Sequence, residues 1–176
     1  AARNWVLSKF KNYAKNSDGR MEVFLQSQTI QPDGKRINQP TDLGNAIAIL
    51  RGTDPNDKRI FMIGGHLDSR VSDVMNAKDF APGANDDGSG VGAVIESARV
   101  LSQSKFPATI IFVAFSGEEQ GLLGAKMLAE KAKNENWQLE ALLNNDMVGN
   151  NLSSETNLIN ANQLRVFSEG LPQFDL

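Results

Sequence analysis

The position of four short acidic clusters relative to the apolar runs limits the folds open to this 176-residue chain. Three clusters, GGHLDS, FSGEEQG and LLNNDMVGN, stand at the ends of the apolar runs 60–63, 109–115 and 139–143, each typical of a buried strand. The fourth, PGANDDGSG, precedes a helical pattern. The carboxyl ends of parallel strands line one crevice of an open α/β sheet, so we expect the clusters to meet there.

The rest of the chain fits a single three-layer αβα domain over residues 1–176 with a mixed, partly parallel central sheet. The early strands are joined too tightly for helical crossovers, which predicts that they run antiparallel. Residues 35–44 are predicted to form a loop or the return of a hairpin, residues 70–81 a polar loop, residues 157–160 a short strand and residues 164–167 a helical turn. Apolar periodicity predicts helices over 3–16, 88–104 and 122–131, and strands over 20–30, 46–50, 60–63, 109–115 and 139–143.

Composition excludes several classes of function. A net charge of −3 gives no electrostatic reason to expect nucleic acid as a partner. No apolar run reaches the ~20 residues that span a bilayer, and no signal peptide is visible at the first residues. The absence of cysteine excludes disulfides, thiol catalysis and thiolate metal ligands.

His66 is the single histidine of the chain and stands two residues before Asp68. One ring nitrogen can bind a metal ion while Asp68 accepts a hydrogen bond from the other or orients the ring through a short relay. A structural histidine with satisfied hydrogen bonds is an equally good reading of this motif alone.

Asp86 and Asp87 lie at the start of the predicted helix. Asp87 or Ser89 can cap the first turn, which needs one carboxylate and leaves the other free. That free carboxylate has two oxygens and can bridge two cations. As an ordinary helix start, the motif needs no metal.

Glu118 and Glu119 are adjacent carboxylates, which repel each other unless their environments differ. One bound to a metal ion and the other free to act as a general base would resolve the conflict. An acid-rich helix N-terminus is the plain alternative. Asp146, after the last predicted strand, is a weak signal by itself.

The need to neutralise so many carboxylates at one edge favours a metal centre over other chemistries. The sequence contains no HExxH helix, no GxxxxGK[ST] loop and no GxSxG elbow. The candidate residues are His66, Asp68, Asp86, Asp87, Glu118, Glu119 and Asp146.

Taken in order, HLDS, APGANDDGSG, FVAFSGEEQGLLGA and NNDMVGN resemble the di-zinc aminopeptidases of peptidase family M28 over roughly residues 45–150. The resemblance implies that His66 and Asp146 bind one Zn²⁺ and Glu119 a second, with Asp86 bridging both ions. It also implies Glu118 as the general base, assisted by Asp68, with Asp68 and Asp87 orienting His66 and the site. The substrate is then a peptide or aminoacyl compound, and export to the periplasm or medium is expected.

The chain departs from the family pattern because no second histidine follows His66. We therefore expect a C-terminally truncated domain in which either a single zinc ion binds tightly at His66, Asp86 and Asp146 or the site stays largely empty and inactive. Truncation would expose a sheet edge, through which the chain is expected to self-associate.

Two further interpretations stay open at this stage. The same fold serves related di-metal carboxypeptidases, deacylases and glutaminyl cyclases. A non-catalytic domain holding structural Ca²⁺ is the other alternative, although Ca²⁺ seldom uses imidazole.

Overall fold

A computed structural model describes residues 1–150 together with Leu152, Ile159, Asn162 and Val166. Every helix and strand predicted between residues 1 and 150 is present, with ends shifted by a few residues. In chain order the elements are α1 (Ala2–Ala14), β1 (Met21–Ile30), β2 (Thr41–Leu50), β3 (Arg59–His66), α2 (Gly88–Leu101), β4 (Thr109–Phe115), α3 (Leu123–Asn134) and β5 (Gln138–Asn144).

The five strands form one mixed sheet in the order β1-β2-β4-β3-β5. β1 pairs with β2 and β2 with β4 in antiparallel fashion, whereas β3 runs parallel to both β4 and β5. The predicted mixed sheet is confirmed, and β2 and β3 do run in opposite directions. They are not neighbours, however, because β4 inserts between them.

Helices cover both faces of this sheet, which gives the predicted three layers. On one face, Val6 and Phe10 of α1 and Val94 of α2 pack with Ala48 of β2 and Phe112 of β4. On the other face, Leu128 of α3 packs in a cluster built from β2, β3 and β4. The central strand β4 is buried on both sides over residues 111–115, which explains its continuous apolar sequence.

Strand β2 begins at Thr41, within the segment that was predicted to be a loop or the return of a hairpin, and β1 and β2 do form a hairpin. Its polar first residues carry no apolar alternation, but Thr41 pairs with Ile30 and the ladder with β1 continues to Leu50 and Met21. Cross-strand pairing therefore extends the strand beyond its apolar part.

The strand predicted over 157–160 is represented by Ile159, which forms an isolated antiparallel bridge with Leu152. The rest of that segment, and the helical turn predicted over 164–167 apart from Val166, lie outside the described residues. In the described sheet β5 is an edge strand, and Leu142 and Leu143 are exposed on it. Among the described residues, no helix is long and apolar enough to cross a bilayer.

Candidate metal centre

The parallel part of the sheet brings the acidic clusters to one edge. β3, β4 and β5 run in the same direction, so their carboxyl ends lie side by side. His66 is the last residue of β3, Glu118 follows β4 by three residues, and Asp146 follows β5 by two. Helix α2 starts at the same edge, directly after Asp87. The predicted convergence of distant sequence segments is therefore present.

The ring of His66 is buried and faces two carboxylates through one nitrogen. Nε2 lies 3.0 Å from Oδ1 of Asp86 and 3.9 Å from Oδ2 of Asp146. Zinc bonds of about 2.0–2.2 Å at tetrahedral angles place two ligand atoms roughly 3.3–3.5 Å apart. The two separations from Nε2 bracket this value, so one imidazole and two carboxylates offer a donor set of the kind that zinc uses.

The other ring nitrogen of His66 fixes the tautomer. Nδ1 lies 3.0 Å from the backbone carbonyl oxygen of Asp68, which can only accept a hydrogen bond. We assign the ring proton to Nδ1 on this ground, which leaves the Nε2 lone pair directed at Asp86 and Asp146. The ring orientation is thus the one that a metal ligand needs.

Asp68 orients His66 in a different way from the sequence expectation. The carboxylate Oδ1 is 3.9 Å from Nδ1, too far for a hydrogen bond, and the backbone carbonyl takes that place. The carboxylate instead accepts the backbone N–H groups of Glu118 at 3.1 Å and Glu119 at 3.0 Å. Asp68 therefore ties the end of β3 to the loop after β4, and one residue positions both clusters.

Asp87 holds three segments of the site together. Its Oδ2 accepts the backbone N–H of His66, while Oδ1 accepts those of Gly90 and Met147. The side chain is 1% exposed, so these three hydrogen bonds replace water for a buried carboxylate. Asp87 is also the N-cap of α2, as one of the two sequence readings of this motif proposed.

Two adjacent carboxylates compete for the role of metal ligand here. Ligand atoms of His66, Asp87 and Asp146 lie within 4.8 Å of one another, a spacing that could hold an ion. The oxygens of Asp87, however, are already engaged by backbone N–H groups, and they could bind a cation only by sharing those lone pairs. Asp86 is half exposed and directs its oxygen at Nε2 of His66. The geometry favours Asp86 as the ligand and Asp87 as its support.

The glutamate pair differs in environment, as the sequence predicted for two neighbouring acids. Burial raises the pKa of the Glu118 carboxyl above its usual value, and the charges of Glu119, Asp68 and Asp146 add to the increase, whereas His66 opposes it. The Glu119 carboxylate is paired with Arg70, whose Nε lies 2.7 Å from Oε2. Among the described residues, the group whose ligand atoms all lie within 4.8 Å of one another consists of His66, Asp87 and Asp146, and it includes neither Glu119 nor Asp86.

Electrostatic coupling connects the remaining groups. Burial works against protonation of His66, but the carboxylates of Asp68, Asp87, Glu118 and Asp146 together raise its pKa. For Asp146, burial raises the pKa first, and the neighbouring carboxylates raise it further. Each of these shifts arises because negative charge accumulates in a partly buried place, a condition that a bound cation would relieve.

Two arginines at the site had no counterpart in the sequence reasoning. Arg70 contacts the Glu119 side chain, and Nη1 of Arg36 donates to the Glu119 carbonyl oxygen at 2.7 Å. Arg70 stands only four residues after His66, which was the available signal. Arg36 belongs to the loop between β1 and β2, and nothing in that loop's sequence points to the site.

Two cavities border the centre. One of about 270 Å³ lies against His66, Ser69 and Pro82, between the first turns of α1 and α2. A second of about 390 Å³ borders Asp68 and Gly117. Both are open to solvent on one side, so a ligand has room to approach the histidine and the glutamate loop.

An α/β sheet that gathers one histidine and several carboxylates at the carboxyl ends of its parallel strands offers a candidate metal-binding site. The sequence profile of peptidase family M28 matches residues 45–169. A probable zinc metalloprotease of Leptosphaeria maculans is 41% identical over 175 residues. The chain therefore belongs to peptidase family M28.

Solved structures agree with this assignment. The LapA aminopeptidase of Legionella pneumophila superimposes with a TM-score of 0.60 at 28% identity, over 83% of this chain and 36% of LapA. The glutaminyl cyclase of Porphyromonas gingivalis gives a TM-score of 0.61 at 25% identity, over 83% of this chain and 51% of that one. The match to the Leptosphaeria protein covers 99% of this chain but 40% of the relative, so the chain spans less than half of its length.

Proposed function

We propose that this chain carries the metal centre of a zinc-dependent peptidase that hydrolyses the amino-terminal peptide bond of its substrate. The observation that carries the proposal is the orientation of His66, whose Nε2 faces Asp86 and Asp146 while Nδ1 is held by a carbonyl. In this assignment these three residues would hold the first zinc ion, and Glu119 with Asp86 would supply oxygen ligands for a second.

Bound zinc supplies Lewis acidity, which polarises the scissile carbonyl and makes water a better nucleophile. Glu118 is assigned as the general base because it is the carboxylate beside this cluster without a backbone or arginine partner among the described residues. In the metal-free protein, burial raises the pKa of Glu118, and a cation bound nearby would oppose that shift and keep the carboxylate ionised to accept a proton from water. The same carboxyl then donates that proton to the departing amine.

Asp68 contributes to this reaction by holding other residues of the site in place. Its carboxylate fixes the backbone of Glu118 and Glu119, and its carbonyl fixes His66. Base and metal ligand are therefore held relative to each other by one residue, which a proton transfer over hydrogen-bond distance requires.

Hydrolysis of leucine-p-nitroanilide, with and without added zinc, tests the proposal. The decisive variant is Glu118→Gln, which keeps the size of the side chain and removes the base. We expect it to lower kcat by a factor of about 10²–10⁴ while the amount of bound zinc stays unchanged. Retention of wild-type turnover in Glu118→Gln, or turnover that resists complete removal of zinc, would contradict the assignment.

A second candidate function has a specific observation in its favour, the structural match to a glutaminyl cyclase. Cyclisation of an amino-terminal glutamine needs the same polarised carbonyl but releases ammonia instead of an amino acid. Incubating the chain with a glutaminyl peptide and with a leucyl peptide separates the two, because ammonia release without peptide-bond cleavage identifies the cyclase.

A further inference from the structure

Two arginines from separate loops hold Glu119, one at its side chain and one at its backbone. Arg70, four residues after His66, donates from Nε to Oε2 of Glu119 at 2.7 Å. Arg36, in the loop between β1 and β2, donates from Nη1 to the Glu119 carbonyl oxygen at 2.7 Å. The Glu119 side chain is only 15% exposed, so its ion pair with Arg70 is partly shielded from water.

Local contacts hold the Arg70 guanidinium group and the backbone that carries Arg36. Nη1 of Arg70 also donates to the carbonyl oxygens of Val71 and Ser72, which orients the group toward Glu119. The loop that carries Arg36 is folded around Asp33, whose Oδ1 accepts the backbone N–H groups of residues 35, 36 and 37. The Arg70 guanidinium is therefore oriented by three contacts, whereas Arg36 is positioned through its backbone.

We propose that Arg70 is a positioning residue that acts as a built-in counter-ion of Glu119 and weakens the binding of a cation there. This inference rests on the metal centre of the proposed function. It assigns an order to metal binding: the first ion binds at His66, Asp86 and Asp146, where no arginine of the described residues is paired with a carboxylate, and an ion at Glu119 binds second and more weakly.

Whether a hydrogen-bonding partner of a metal ligand strengthens or weakens metal binding depends on the charge of that partner. A carboxylate or carbonyl that accepts a hydrogen bond from a ligating histidine makes the ligand more basic and strengthens metal binding. A guanidinium does the opposite to a carboxylate, because it withdraws negative charge and repels an incoming cation a few ångströms away. Changes in such partners alter metal affinity by roughly 10- to 100-fold, and we expect the lower value because Arg70 is about one-third exposed.

Isothermal titration of zinc into the metal-free 176-residue chain tests the inference through affinity, independently of catalysis. Three variants are compared with the wild type: Arg70→Met, which keeps the length and removes the charge; Arg70→Lys, which keeps the charge; and Arg36→Met. Arg36→Met is the matched control, because it removes an equal positive charge from beside the Glu119 carbonyl oxygen and leaves the contact between Arg70 and the Glu119 carboxylate intact. Circular dichroism confirms that each variant is folded.

We expect Arg70→Met to tighten the second binding step about tenfold, or to reveal one where the wild type shows a single step, with the first step unchanged. Arg70→Lys and Arg36→Met should stay within about threefold of the wild type. A second step that is unchanged or weaker in Arg70→Met, or an equal gain in Arg36→Met, overturns the inference alone. A wild type that binds no zinc, or binds it equally well as His66→Ala, overturns the proposed metal centre and this inference with it.

Discussion

The Oδ2 atom of Asp87 accepts the backbone N–H of His66 at a distance of 2.9 Å, and this bond joins the end of β3 to the start of α2. The other oxygen of Asp87 accepts from Gly90 in α2 and from Met147 after β5. One buried carboxylate thus fixes the relative positions of the three segments that deliver His66, Asp86 and Asp146. Asp87 therefore contributes both to the stability of the domain and to the geometry of the site.

Asp87→Asn should lower the free energy of unfolding of the metal-free protein by about 2–4 kcal/mol. The amide removes the charge and turns one accepting oxygen into a donor that faces a backbone N–H, so at least one buried donor loses its partner. Urea denaturation followed by circular dichroism measures the loss. Zinc affinity should fall as well, because His66 and Asp86 are no longer held in register.

Asp86→Asn is the matched control for this change, since it alters the neighbouring residue in the same way. Asp86 is half exposed, and among the described residues its side chain accepts no backbone N–H, so the free energy of unfolding should change by less than about 0.5 kcal/mol. Zinc affinity should fall strongly. If Asp86→Asn destabilises the protein as much as Asp87→Asn does, the division of roles between the two aspartates is wrong.

Two glycines of α2 should respond to alanine in opposite directions. A methyl group at Gly90 would overlap the carbonyl oxygen of Asn145 and both carboxylate oxygens of Asp87, whereas one at Gly92 would meet nothing within 4 Å. We expect Gly90→Ala to destabilise the fold by about 1–3 kcal/mol and Gly92→Ala to stabilise it by up to about 1 kcal/mol through helix propensity. Thermal unfolding measures the shift in Tm of each variant, and equal shifts would show that the packing at Gly90 leaves room for a methyl group.

Much of this site could be predicted from the sequence because its elements obey local rules. Apolar periodicity located the strands, and the direction of parallel strands brought His66, Glu118 and Asp146 to one edge. The capping role of Asp87 followed from its place before a helical pattern. The insertion of β4 between β2 and β3 could not be predicted, because it depends on pairing between segments about 60 residues apart.

The contacts made by Asp68, Arg70 and Arg36 could not be read from the sequence either. Asp68 was expected to use its carboxylate on His66, but the carbonyl lies closer and the carboxylate binds residues 50 and 51 positions away. Arg70 and Arg36 reach Glu119 across 49 and 83 positions. Such single side-chain contacts leave no periodic signal, and polar residues in loops look alike until the fold places them.

Asn45 should prove as important for stability as a core residue. Its buried side chain accepts the backbone N–H of Ser116 and donates to the carbonyl of Gly124 and to Gln26, linking β2 to both ends of the glutamate loop. Asn45→Ala leaves these buried groups without their partner, and we expect a loss of about 2–4 kcal/mol in the free energy of unfolding. Gln26→Ala removes one of these three contacts together with the bond from Gln26 Nε2 to the Met127 carbonyl oxygen, and it should still cost less than Asn45→Ala in the same urea titration because both lost contacts are only partly buried. Equal losses would argue against a special role for Asn45.

The stabilisation that zinc gives should grow as the pH rises from about 5.5 to 8. In the metal-free protein the pKa values of Glu118 and Asp146 are raised from 4.5 and 3.8, so their ionisation costs folding free energy above those values. The pKa of His66 is raised from 6.5, so the stability it contributes when protonated is lost as the pH passes through its folded value. All three contributions to the folding stability of the metal-free protein therefore become less favourable as the pH rises.

Zinc, in contrast, binds the deprotonated forms of His66 and Asp146 and gains affinity as protons leave. The quantity to measure is the difference in Tm between zinc-saturated and chelator-treated protein at both pH values. Asp146→Asn removes one ligand and one negative charge, so it should reduce both this Tm difference and its dependence on pH. A wild-type Tm difference that stays constant or shrinks with rising pH would contradict the assignment of these groups to the metal site.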